Sequence, residues 1–229
     1  MRPLRTPLMG LALAFVVGAC AGEPTPTPAP VCPDAPPTST SAQATLEGAA
    51  FARMRLSGAV EGELVIELYG DHAPLATANF VALARCGFYD GISFHRILAG
   101  FVAQAGDPQT KENRGDFQGL GGGGPGYQFE IEAPPEGLRY DQYVVAMANA
   151  APRVPDSNGS QFFIDLADLD EALRQSGVYT IFGKVTDGTD VVDAMAGVPV
   201  NDPAIGVPLD PVIIESVTIS ASTEPSPGS

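Results

Sequence analysis

Short bursts of alternating apolar and polar residues run through the middle of the chain. Residues 63–69 alternate nearly throughout, and residues 127–132 alternate strictly. Residues 143–147, 161–166, 179–185 and 212–219 are further short apolar or alternating runs. Successive strand side chains point to opposite faces, so each run predicts a strand with one face on a core. Two segments carry a helical period instead. Leu75, Asn79, Phe80 and Leu83 recur at helical spacing to about Arg85, with Asp71 and Pro74 marking the start and Gly87 the stop. A shorter helix is predicted from near Asp187 through Val191, Val192 and Met195 to Gly197. Many short strands with two helices suggest a mainly β fold, a closed barrel with helices over its ends. The pattern alone does not fix the topology, and no internal repeat is visible.

The 229 residues divide by composition into one domain, about 48–221, and two extensions. Arg2 and Arg5 precede an apolar run, residues 8–17, that is too short to span a bilayer but suits a signal peptide over residues 1–19. The run ends in Val17-Gly18-Ala19-Cys20, which resembles a bacterial lipoprotein box. That resemblance implies a lipid-anchored Cys20 in the cell envelope, outside the cytoplasm; the competing reading is an ordinary secretory signal. Residues 20–47 are rich in Pro, Thr, Ser and Ala and predict a disordered, extended linker of about 3.1 Å per residue. The tail, residues 222–229, has the same character. An exported chain permits a Cys32–Cys86 disulfide, while two free thiols fit the sequence equally well.

Hydrophobic residues make up 45% of the chain, ample for a core, and the formal net charge is −15. Such a surface disfavours nucleic acid, since it offers little to displace phosphate counterions. Only His72 and His95 are present, far apart, which argues against a histidine zinc site. Residues 121–124 are four glycines, but no Lys-Ser or Lys-Thr follows, so a phosphate loop is not expected. Arg114-Gly115-Asp116 and the sequon Asn158-Gly159-Ser160 are read as loop chemistry. No Ser-His-Asp or Cys-His constellation is evident.

Two segments carry the chemistry. The first is Phe94-His95-Arg96-Ile97-Leu98-Ala99-Gly100-Phe101-Val102-Ala103-Gln104-Ala105-Gly106-Asp107; the second is Asn158-Gly159-Ser160-Gln161-Phe162-Phe163-Ile164. Together they closely resemble the cyclophilin family of peptidyl-prolyl cis–trans isomerases. The resemblance implies an eight-stranded antiparallel β-barrel capped by two α-helices, with no metal or cofactor. It implies Arg96 as the catalytic residue and Phe101, Val102 and Phe163 as the cup for a proline ring. Gln104 would steady the arginine and meet substrate backbone, and Ala148 and Asn149 would pair with an extended peptide. Gln161 would line a neighbouring pocket, and Tyr179 stands where many cyclophilins have histidine. Val102 departs from the family's common methionine. The family tryptophan has no counterpart in residues 168–178, where Leu173 is the candidate replacement, and the connection after Asn149 is about three residues longer than is common.

The chemistry these residues suit needs no nucleophile. An X–Pro bond rotates over a barrier of about 18–20 kcal/mol because amide resonance must be broken. Twisting pyramidalises the prolyl nitrogen, and a donor aimed at its lone pair stabilises that state more than the planar one. Arginine is a permanently charged, planar donor. Since no proton moves, the rate should vary little near neutral pH. The leading expectation is an envelope-anchored, monomeric isomerase acting on X–Pro polypeptides and assisting the folding of exported proteins. A non-catalytic proline-peptide binder or holdase on the same scaffold is the alternative, and a purely structural envelope lipoprotein the third.

Overall fold

The computed structural model describes residues 30–113, 121–149, 151 and 153–221. The expected signal peptide, Cys20 and its lipid, the Arg114-Gly115-Asp116 tripeptide and the tail at 222–229 lie outside the described residues. Eight strands form one antiparallel sheet: β1 (Phe51–Gly58), β2 (Gly62–Leu68), β3 (Arg96–Ile97), β4 (Val102–Ala105), β5 (Val144–Met147), β6 (Phe162–Asp165), β7 (Ile181–Asp187) and β8 (Val212–Ser220). Their order is β3-β4-β6-β5-β7-β2-β1-β8. The sheet is mainly β and eight-stranded as expected, but curled and open by its ladders: β3 and β8 do not pair along their length. A single bridge, Ser93 with Ile213, joins the segment before β3 to β8, flanked by Phe94 N–H to Val212 O at 2.8 Å and Ile214 N–H to Ile92 O at 2.8 Å.

Four α-helices are described rather than two: α1 (Ser39–Leu46), α2 (Pro74–Arg85), α3 (Asp170–Ser176) and α4 (Thr189–Met195). In α2, Pro74 occupies the first turn, where its missing N–H costs nothing. Ala73 offers no side-chain cap. The Glu132 carboxylate does so from afar, accepting the N–H groups of Leu75 at 2.9 Å and Ala76 at 2.8 Å. This explains why residues 127–132, despite strict alternation, form no strand: Phe129 makes one bridge to Asn158 and Glu132 serves a helix. At the other end, Gly87 takes φ 73°, a conformation suited to glycine after a helix.

The linker expected over residues 20–47 does not hold for its last third. Thr38 and Ser41 form a reciprocal capping box that starts α1. Ala42 is fully buried and Leu46 packs on the core. Arg85 donates to Thr45 O at 2.7 Å, satisfying a carbonyl at the end of α1. A Cys32–Cys86 disulfide pins the segment to the end of α2. Two small apolar contacts, a cap and a covalent bond thus order a stretch whose composition alone predicts disorder.

The sheet separates two clusters, and strand periodicity decides which residue joins which. Phe162, Ile164, Ala103, Ala105, Val145, Met147 and Phe182 face the main core beneath α2. There Phe80 meets Phe182 at 5.1 Å and Phe162 at 5.7 Å between ring centroids, with Tyr89 beside them. Phe163, Val102, Val144, Ala146 and Ile181 face the other way, into a second cluster with Tyr140, Leu169 and Leu173.

Candidate active site

The outward face of β3, β4, β6 and the end of β5 carries the candidate site. Arg96 pairs directly across from Gln104, and Gln104 across from Phe163. Cross-strand partners share a face, so the three side chains lie in one row. Ile97, Ala103 and Phe162 take the alternate positions and fill the core. Phe101 sits in the tight turn between β3 and β4, and its ring lies under Arg96, whose guanidinium carbon is 5.7 Å from the centroid.

These side chains border a pocket of about 170 Å³ lined by Arg96, Phe101, Val102, Gln104, Ala148, Asn149, Phe163, Leu173 and Tyr179. Eight of the nine candidate site residues meet here, with Leu173 added. A larger groove, about 1060 Å³, runs between α1 and the turn at Tyr69–Pro74 but holds none of the candidate residues. Gln161 stands apart from the smaller pocket. Its Nε2 donates to Gly121 O and Gly123 O, both at 2.8 Å, and its Oε1 accepts from Gln104 Nε2 at 3.0 Å. It therefore links the arginine row to a second, glycine-lined pocket of about 720 Å³ that also borders Ala148 and Asn149. Asp107 holds that loop from the other side, accepting N–H from Gly121 at 2.7 Å and Gly123 at 3.1 Å. A Cβ on Gly123 would stand 2.1 Å from Asp107 Oδ1, so a larger residue would have to displace the carboxylate that holds the loop.

Half-buried Arg96 has its pKa pulled below the usual guanidinium value by desolvation, against the pull of nearby Tyr179. A guanidinium stays charged despite that. Among the described residues, no carboxylate lies within salt-bridge distance of it. Its donors are available to something entering the pocket. Neighbouring His95 turns into the protein, and burial pulls its pKa down to about 4, with Asp107 opposing the shift and Arg96 adding to it.

The far wall comes from residues 168–179. This stretch contains α3, and buried Leu173, the candidate replacement for the family tryptophan, projects from it into the site. Tyr179 packs edge-on against Phe163, centroids 5.5 Å apart. Tyr140 fixes its backbone twice, donating from its hydroxyl to Tyr179 O at 2.7 Å and accepting from Tyr179 N–H at 3.1 Å. Tyr140 gave no sequence signal, lying between Arg139 and Asp141 in a polar stretch without period. Asp165 was missed too. It follows Phe163 on the same face and pairs across from Val102. It is fully buried, neither carboxyl oxygen has a partner, and burial, then repulsion from Asp141, pushes its pKa up to about 8.

The arrangement is a small hollow walled by Phe101, Val102, Phe163 and Leu173, with one cation at its lip that is unpaired among the described residues and amide groups along one side. It can desolvate a small ring and offer N–H donors above it, but it holds no base and nucleophile in contact. A family model described as cyclophilin type peptidyl-prolyl cis-trans isomerase/CLD matches residues 51–219. Peptidyl-prolyl cis-trans isomerase A of Mycobacterium tuberculosis is 42% identical over 179 residues, covering 69% of this chain and 87% of the relative. Peptidyl-prolyl cis-trans isomerase B of Streptomyces anulatus is 41% identical over 176 residues, covering 69% and 91%. Among solved structures, a cyclophilin type peptidyl-prolyl cis-trans isomerase of Cryptosporidium parvum, crystallised in the presence of the dipeptide Ala-Pro, matches with TM-score 0.62 and 34% identity. It covers 74% of this chain and 98% of that one.

Proposed function

The chain belongs to the cyclophilin-type peptidyl-prolyl cis–trans isomerases, and from that premise we propose how its residues divide the reaction. The proline ring of an extended X–Pro segment enters the pocket of Phe101, Val102, Phe163, Leu173 and Tyr179. Arg96 donates to the prolyl nitrogen as the amide twists and its lone pair emerges, so the interaction is stronger at the transition state than before it. Gln104, held by Gln161, meets the substrate backbone beside it. The backbone at Ala148 and Asn149, just past the end of β5, pairs with the peptide as an added strand would. Gln161 shapes the neighbouring glycine-lined pocket for the adjoining residue. The bridge between Ser93 and Ile213 supports reading the curled sheet as a closed barrel.

One observation carries this assignment: the Arg96 guanidinium lies over Phe101 at the edge of the pocket, with no carboxylate among the described residues to neutralise it. The Ala-Pro dipeptide used with the Cryptosporidium relative fits the same reading of the ligand. Titration of this protein with Ala-Pro peptides, followed by NMR, should shift the resonances of Arg96, Phe101 and Phe163 while the cis and trans signals exchange faster. Shifts confined to other surfaces would reject the pocket.

The enzyme works outside the cytoplasm as a monomeric lipoprotein that assists the folding of exported chains. Arg2, Arg5, the apolar run and the Cys20 box support this, and so does the Cys32–Cys86 bond, which suits an oxidising compartment. Two or more acyl chains on Cys20 would anchor it stably. Cell fractionation should find the protein in membranes and Cys20→Ala in the soluble fraction; equal partitioning of the two would reject the anchor.

A further inference from the structure

We infer that Asn79, a buried amide of α2, is a positioning residue for isomerisation. It ties together the two segments that wall the glycine-lined pocket, and so sets Gln161, and through it Gln104, in the row that carries Arg96. The inference rests on the isomerase reading of the pocket at Arg96 and deepens it by one residue that lines neither pocket.

Asn79 is 1% exposed, at a core-facing position of α2 next to Phe80. A buried amide destabilises a fold unless its donor and acceptor are both met. Here both are met, and by different segments. Its Nδ2 donates to Gly159 O at 2.9 Å, and its Oδ1 accepts from the Tyr127 hydroxyl at 2.8 Å. Gly159 and Tyr127 both line the glycine-lined pocket, one from the stretch before β6 and the other from the stretch after the four glycines. The two backbones bridge at Phe129 and Asn158. Asn79 is the next tie along them, toward the pocket.

Nearer the site the same segments are joined again, by Gln161, whose Nε2 donates to Gly121 O and Gly123 O. The backbone that leads to it is held from the core at two successive carbonyls, Gly159 O by Asn79 and Ser160 O by the buried Tyr89 hydroxyl at 3.1 Å. The Oε1 of Gln161 then accepts from Gln104, which pairs across from Arg96. With Asn79 in place, Gln161 spans a gap of set width and presents its Oε1 at a fixed point. Without it, Gly159 and Tyr127 can separate, the bonds from Gln161 lengthen and weaken, and Gln104 loses its fixed partner. Arg96 keeps its own contact with the Phe101 ring. The loss therefore falls on substrate holding by Gln104 more than on the donor to the prolyl nitrogen.

The test uses the full chain and an Ala-Pro peptide. Asn79→Ala removes both bonds; Tyr127→Phe removes one and leaves a ring of the same shape. Asn79→Ala should raise KM about tenfold, the scale of one lost hydrogen bond, with kcat within about twofold of wild type. Tyr127→Phe should raise KM in the same sense by about threefold, and it decides the matter if circular dichroism shows Asn79→Ala unfolded. In a Gln161→Ala background, Asn79→Ala should add less than about twofold, because the link it supports is already cut. The side-chain amide resonances of Gln161 and Gln104 should move in both single variants. An unchanged KM in the folded variants, a loss carried by kcat alone, or full additivity with Gln161→Ala overturns the inference. A wild-type rate no faster than uncatalysed exchange overturns the isomerase reading instead, and the amide resonances then still report whether Asn79 sets Gln161.

Discussion

Arg96 lies above the ring of Phe101, its guanidinium carbon 5.7 Å from the centroid, on the face of β3 opposite Ile97. The contact orients the guanidinium without a carboxylate, so the charge is steered but not neutralised. Arg96→Ala should cut kcat/KM for an X–Pro peptide by about 10²–10³-fold, the usual loss when a single transition-state donor is removed. Its unfolding midpoint should stay near that of wild type, because the side chain is half-exposed and unpaired. Arg96→Lys keeps a charge but not the planar fork and should remain well below wild type. A near-full rate in the alanine variant would remove Arg96 from the mechanism.

Phe162 and Phe163 are neighbours that do different work. Phe162 touches Phe80, Tyr89, Phe94 and Phe182 in the core. Phe162→Ala should lower unfolding free energy by about 3–5 kcal/mol, read from urea denaturation. Phe163 borders the pocket on one side, so truncating it removes fewer packed neighbours. Phe163→Ala should cost less stability and show its effect as a raised KM. Equal stability losses with an unchanged KM would contradict the division of faces.

Asp165 and His95 give the stability a pH dependence of definite sign. The folded carboxyl of Asp165 holds its proton up to about 8, against 3.8 unfolded. Between these values the unfolded chain binds fewer protons, and stability falls as pH rises. His95 is neutral in the fold down to about 4, against 6.5 unfolded. Between those values the unfolded chain binds more protons, and stability rises with pH. The two slopes oppose each other from about pH 4 to 6.5, leaving Asp165 alone above. Between pH 6.5 and 8 its contribution should fall by up to about 1.4 kcal/mol per unit. Denaturation curves of Asp165→Asn should lack that decline; an identical slope in the variant would show that the carboxyl is ionised in the fold.

The Cys32–Cys86 bond closes a separation of 54 residues. Replacing both cysteines by serine should lower stability by about 2–4 kcal/mol, measured by guanidinium denaturation, and dithiothreitol should do the same to wild type. The double variant should be indifferent to reductant. Isomerisation rates should change little, since neither cysteine borders the pocket.

Much of this was legible in the chain because alternation reports faces. Phe163, Val102 and Gln104 could be placed together since their neighbours Phe162, Ala103 and Ala105 are the core-facing set, and α2 was bounded correctly by Pro74 and Gly87. The failures share a cause in contacts distant along the chain. Residues 127–132 alternate like a strand, yet Glu132 caps a helix more than fifty residues earlier. Residues 39–46 have the composition of a spacer, yet a capping box and a buried alanine hold them as a helix, while Cys32 ahead of them is bonded to Cys86. Asp165 lies in a run that predicts a strand, yet its side chain is fully buried on the face that carries the second cluster. Tyr140 and the α3 wall depend on which loop lies over which strand, and no local period encodes that.

The bond at Cys32 decides where a mechanical pull would enter the molecule. Tension on the chain ahead of it passes through sulfur into the end of α2, bypassing α1 and the first strand. A pull on the chain ahead of Cys32 would then reach Cys86 before β1 bears load. The fold carries its own cable clamp, set on the side of the sheet away from the row that holds Arg96.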